Sequence, residues 1–166
     1  MKIHVGVHDF PLHRRRTFQQ CEVAEASALL TTRPRKKTVA EWREAAPPSF
    51  RFVVPAPPAL TDPQWKKTRP SYWEEGAQGF VTGPEADRIF SAMEMIAGML
   101  KSHTLLFTTP ATFRPSGENQ DRLREYFTSL PRKNYRFVWE PRGLWSPQQA
   151  LSLASELDLV LAGDPL

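Results

Sequence analysis

The sequence predicts an α/β fold built on a parallel sheet, and three observations carry the prediction. Two apolar, β-branched and aromatic runs near the C-terminus, residues 135–143 (YRFVWEPRG) and 157–166 (LDLVLAGDPL), flank a helix-like stretch at 146–156. Both runs are apolar almost throughout their strand portion, as strands covered on both faces must be. Upstream, strand and helix patterns alternate with no hairpin signal, which favours right-handed parallel crossovers.

The elements follow in order. Residues 3–7 (IHVGV) form a first strand that ends at His8-Asp9, and Arg14-Arg15-Arg16 follow in a loop. Residues 21–23 are a second strand candidate, with a helix over 24–30 competing for the same stretch. Thr38 to Glu41 has the form of a capping box, and Trp42 opens the apolar face behind it. That helix ends at Pro47-Pro48. Residues 50–54 (FRFVV) are a third strand, stopped by Pro55.

Residues 59–83 are the least regular, with Trp65, Tyr72, Trp73 and Phe80 set among prolines and lysines. A long aromatic-bearing loop either serves function or covers the end of the sheet. Pro84 then opens the clearest helix, 84–100, whose Ile89, Phe90, Met93, Ile96, Ala97 and Leu100 share one face. Residues 104–107 are a buried strand that ends in Thr108-Thr109-Pro110. A helix over 119–130 turns Leu123, Tyr126, Phe127 and Leu130 inward. Ser146 and Pro147 are the N-cap and first-turn proline of the last helix. Six strands result. A complete (β/α)₈ barrel takes about 250 residues, or about 200 at the low end. The 166 residues here therefore predict one domain, a partial (β/α) barrel.

Composition narrows the function classes. The formal net charge of +4 permits a phosphate-bearing ligand or nucleic acid, and the basic runs Arg14–Arg16 and 33–37 could contact phosphates or simply be solvated. The single cysteine, Cys21, rules out an intrachain disulfide, no CxxC or Cys/His zinc spacing is present in the sequence, and this suits a reducing cytoplasm. Neither a signal-peptide core nor a membrane-length apolar run is present, so a soluble cytoplasmic protein without a membrane partner is expected. Gly-rich phosphate loops, serine nucleophile elbows and HExxH are absent from the sequence. No cofactor is assigned.

Chemistry is expected at the C-terminal ends of the strands, where parallel α/β folds carry their sites. Glu140 and Arg142 stand two apart, so they share a face if the strand extends that far, although Pro141 is expected to turn the chain. A carboxylate beside a guanidinium binds an anionic or sugar-like ligand, or anchors the loop as an ion pair. Asp164 falls at the same end of the sheet. With Glu140 it could hold a divalent metal or form an acid–base pair, or it could cap its own turn; no metal ligands are assigned. His8 and Asp9 reach this rim from the first strand, and His8 could act as a base. Glu22 on the second strand needs a partner if it points inward, and Arg142 is one. Thr108 ends the fourth strand. Trp139 and Trp145 either pack and anchor the loop or stack on a ring of the ligand.

At these residues the chain resembles the YecE-like proteins, a TIM-barrel family of unknown function, in its archaeal-type branch. The resemblance covers nearly the whole chain. It is carried by residues 3–10, 21–28, 38–57 (TVAEWREAAPPSFRFVVPAP), 105–113 (LLFTTPATF) and 122–130, and most specifically by 138–145 (VWEPRGLW) and 159–166. It implies a barrel that continues through two further strands, so this chain corresponds to a form shortened at its C-terminus. It also implies polar groups that this chain lacks: Ala24, Pro55 and Thr108 stand where the family carries an amide, a lysine and a glutamine. Glu22, Glu140, Arg142 and Asp164 match the family. The expected site is thus Glu22, Glu140, Arg142 and Asp164 as catalytic residues, with His8, Asp9, Thr108 and Trp145 as ligand contacts. The expected activity is hydrolysis of a phosphate-containing substrate or nucleic acid. The alternatives are a non-catalytic binding module and a degenerate family member, and an oligomer or partner is expected to cover the open sheet edges.

Overall fold

Six parallel strands lie side by side in the order in which the chain makes them: β1 (Gly6–Val7), β2 (Val23–Glu25), β3 (Arg51–Pro55), β4 (Thr104–Thr109), β5 (Arg136–Pro141) and β6 (Val160–Leu161). The computed structural model describes residues 3–10, 13–32, 34–66, 78–132 and 134–163. Helices α1 (Arg14–Gln20), α2 (Lys36–Ala45), α4 (Pro84–Leu100), α5 (Gly117–Ser129) and α6 (Pro147–Glu156) fill the crossovers, and a single turn, α3 (Pro58–Thr61), follows β3.

The strands alternate strictly. Along β4, Leu105, Phe107 and Thr109 are buried, whereas Thr104, Leu106 and Thr108 are half-buried. The buried set meets the helices. Phe107 lies 5.0 Å from Phe127 of α5, and Phe137 of β5 lies 6.2 Å from Phe90 of α4, both edge-to-face. Phe10 forms a second aromatic centre, its ring 5.5 Å from Trp42 of α2 and 5.3 Å from Phe52 of β3. The other parity, Val23, Val53, Leu106 and Val138, lines a concave trough with Gly6 and Ala162.

Local signals account for the best-read elements. Ser146 accepts from the Gln149 N–H and the Gln149 side chain returns to the Ser146 N–H, a complete capping box with Pro147 in the first turn. Ser116 caps α5 with its side chain alone, accepting from the Asn119 N–H, and the helix opens at Gly117, two residues before the 119 that the apolar pattern marks. Four readings change. Arg14–Arg16 open helix α1 rather than lie in a loop, behind His13 in the left-handed region (φ 56°). Strand β2 occupies 23–25, and Ser27–Leu30 is a 3₁₀ turn. Helix α2 starts at Lys36 behind Arg35, so Thr38 lies inside its first turn and caps nothing. Strand β3 runs through Pro55, whose missing N–H the parallel ladder tolerates at a strand end.

Of the aromatics in 59–83, Phe80 is fully buried against Tyr126 and Phe113 at 5.2 and 5.6 Å, so it covers the sheet end. Tyr72 and Trp73 lie outside the described residues. No helix among the described residues is long and apolar enough to cross a membrane.

Candidate functional site

Strand β5 does not break at Pro141. Its pairing with β4 extends to Thr109 opposite Pro141, and the Arg142 N–H donates to the Thr109 carbonyl at 3.2 Å. The extended backbone puts Glu140 and Arg142 on one face. Arg142 donates to both Glu140 carboxylate oxygens at 3.3 and 3.4 Å. Thr108, directly across the ladder from Glu140, donates its hydroxyl to Glu140 Oε2 at 2.7 Å. The carboxylate is therefore held from two sides, and the Arg142 guanidinium, 60% exposed, keeps further N–H donors for a ligand.

Gly143 makes the turn that follows. Its φ is +86°, and a Cβ there would come within 2.8 Å of the Ala111 backbone, so glycine is required on both counts. Beyond it, Trp145 turns inward, donates Nε1–H to the Phe113 carbonyl at 2.8 Å and meets Trp139 edge-to-face at 4.9 Å. Trp145 thus anchors the loop in the core. It does not present a stacking face to a ligand, because both rings and its one donor are already engaged.

On the other side of the rim, His8 Nδ1 lies 3.0 Å from the Glu25 carboxylate. The hydrogen bond to Glu25 raises the His8 pKa above its ordinary 6.5; partial burial opposes this, the charges of Glu25 and Asp9 add to it, and Arg142 opposes it. Arg142 thus acts electrostatically on both halves of the rim. A cleft of about 270 Å³ lies between them, lined by His8, Glu25, Asp62, Thr108, Glu140 and Arg142, with Thr61, Leu30, Ala56 and two prolines as its walls.

The predicted residues divide. His8, Thr108, Glu140 and Arg142 converge on the cleft. Asp9 stands beside it, exposed, in an antiparallel bridge to Ala26. Asp164 lies outside the described residues. Glu22 is at the opposite end of the sheet: it precedes β2, pairs with His4 and lines a hollow with Cys21, Phe18 and Pro47. The reading of Glu22 as a rim acid is therefore corrected. Setting β2 at 23–25 makes Glu25 the rim residue and puts Ala24 in the core. Alternation within the short segment CEVAEA carried the signal, since Val23 and Glu25 share a face that Ala24 does not. Thr61 ends α3 and Asp62 follows it, in a segment that no motif marks. Among the described residues, no group of three or more His, Cys, Asp or Glu side chains converges to hold a metal ion.

A parallel (β/α) sheet with its polar cleft at the C-terminal strand ends defines the class, a TIM-barrel-like α/β protein. The chain belongs to the DUF72 family, described as a protein of unknown function, whose model matches residues 18–159. A solved DUF72 protein from Enterococcus faecalis superposes with a TM-score of 0.68 at 20% identity, covering 95% of this chain and 61% of its own. A DUF72 protein from Thermotoga maritima gives a TM-score of 0.62 at 15% identity, covering 95% and 64%. A monomeric dihydrodipicolinate synthase variant gives 0.57 at 13% identity, covering 97% and 53%. At these identities the likeness is one of fold. The chain spans about three-fifths of the length of the DUF72 structures it matches. No curated protein matches the sequence.

Proposed function

We propose that the rim cleft is a hydrolytic site for a phosphate-bearing ester. The observation that supports this is the convergence of two differently held groups on one cleft: His8 paired with Glu25, and Glu140 fixed by Thr108 and Arg142. Arg142 receives a phosphoryl oxygen. Glu140 orients a water and takes its proton as the water oxygen bonds to phosphorus. The ester P–O bond breaks, and protonated His8 gives its proton to the departing alcohol oxygen. The raised pKa suits His8 to the acid role near neutral pH. Glu25 and Asp62 lower the tolerance of the cleft for added negative charge, which favours a diester over a highly charged monoester.

A chromogenic phosphodiester and a phosphomonoester, assayed with the purified chain and with Glu140→Gln and His8→Gln, test this. Each substitution is expected to lower turnover by about a hundredfold or more. Absence of turnover, or turnover untouched by both substitutions, rejects the reading.

A second reading, a non-catalytic interaction module, is favoured by the sheet edges. Among the described residues β1 and β6 each pair on one side only, and Val160 is 46% exposed. A second copy or a partner chain laying a strand on either edge would cover them. Light scattering after size exclusion separates the cases, since a stable monomer argues against self-association.

A further inference from the structure

At the N-terminal ends of β3, β4 and β5, opposite the rim, lies a groove of about 500 Å³ bounded by Arg43, Arg51, Lys101, His103, Asn134 and Arg136. No Asp or Glu among the described residues lines it. Its cations have two different employments. Arg43 is structural: its guanidinium donates to the carbonyls of Phe50, Ala46 and Pro47 and lies 5.2 Å over the Phe52 ring. Burial lowers its pKa. Arg51, Lys101 and Arg136 are exposed, and none has an ion-pair partner among the described residues.

The fold creates this cluster from residues far apart in sequence. Arg51 and Arg136 are the first residues of β3 and β5, on the same parity as Val53 and Val138. Thr104 of β4 stands cross-strand from both Val53 and Arg136, so β4 separates the two arginines. Neighbouring strands are about 4.8 Å apart, which sets the arginines on the order of 10 Å from each other. Lys101 sits above them at the end of α4, in the left-handed conformation that turns the chain into β4. Glu22 shares the adjoining hollow with Arg51 but pairs with His4, so three cations without an ion-pair partner among the described residues surround this groove and form a site for anionic oxygens.

We propose that this groove binds phosphoryl groups, at least two at once, on Arg51, Lys101 and Arg136. The ligand is a phosphate chain, supplied either as a small free polyanion or as a nucleic-acid backbone. This inference stands apart from the rim reading, because none of these residues lines the cleft.

Inorganic triphosphate titrated calorimetrically into the full chain, and a labelled single-stranded oligonucleotide followed by anisotropy across a salt series, are the test. Arg51→Gln with Arg136→Gln is expected to weaken triphosphate about tenfold or more and to reduce the oligonucleotide salt slope by about two. Arg124→Gln, on α5 and outside both the groove and the cleft, should leave both unchanged. Lys101→Gln serves as an independent variant, with circular dichroism checking the fold of each. An oligonucleotide bound far more tightly than triphosphate identifies a nucleic-acid backbone, and equal affinities identify a small polyanion. No binding of either probe, or binding that the arginine and lysine variants leave intact, overturns the proposal.

Discussion

The two ends of the sheet use charge in opposite ways. At the C-terminal end, charged side chains hold one another: Arg142 and Thr108 fix Glu140, and Glu25 fixes His8. At the N-terminal end, Arg43 spends its donors on backbone carbonyls while Arg51, Lys101 and Arg136 face solvent with no ion-pair partner among the described residues. The first arrangement preorganises acid–base groups; the second provides positive potential with little fixed geometry. Location on a strand, more than residue type, decides which role a charge takes.

The largest effect expected concerns how the rim is built. Trp145→Ala should cost about 3–5 kcal/mol, because it empties a buried indole site and leaves the Phe113 carbonyl without its donor. Urea denaturation measures it, and a loss under about 1 kcal/mol would mean that Trp145 is peripheral to the core. At the other end, Arg43→Met should cost about 2–3 kcal/mol by taking the guanidinium from the carbonyls of Phe50 and Ala46, while that of Pro47 keeps the Phe50 N–H. If Arg43→Met proved neutral while Arg51→Met weakened the fold, the division of labour at that end would be reversed.

Gly143→Ala should cost about 2 kcal/mol from the left-handed backbone and the approach to Ala111, read from the same denaturation curves. An unchanged midpoint would show that the loop can move away. The finest test separates two glutamates three residues apart. Glu25→Gln should lower the His8 pKa toward its ordinary 6.5, as followed by NMR, while Glu22→Gln should not. The sign for stability follows. A histidine whose pKa is raised on folding stabilises most below 6.5, and that contribution fades as pH rises through the folded value. Glu25→Gln should therefore flatten the pH dependence of stability across that window.

Much of the architecture was legible because its signals are local. The periodicity of 84–100, the serine cap before Pro147 and the apolar runs of β4 and β5 each identify an element without reference to the rest of the chain. Helix α1 was not legible, since three arginines in a seven-residue helix show no apolar period and its start depends on His13 in a left-handed turn. Among candidate site residues, Thr108, Glu140, Arg142 and His8 follow from strand ends. Glu22 was misplaced because a shift of strand boundary exchanges the sheet end that a short segment's charges reach. The position of Trp145 depends on Phe113 and Trp139, and the grouping of Arg51, Lys101 and Arg136 on two strands and the end of α4; neither contact leaves a mark in any one window of sequence.

The order of the strands in the sheet is the order of synthesis, β1 to β6 without a skip. During translation each new strand–helix unit therefore meets a completed neighbour, docks on the single growing edge and never has to be inserted between strands already paired. Assembly can proceed as accretion, each step closing only the loop of one crossover, so the entropic cost of bringing ends together stays that of a short segment throughout.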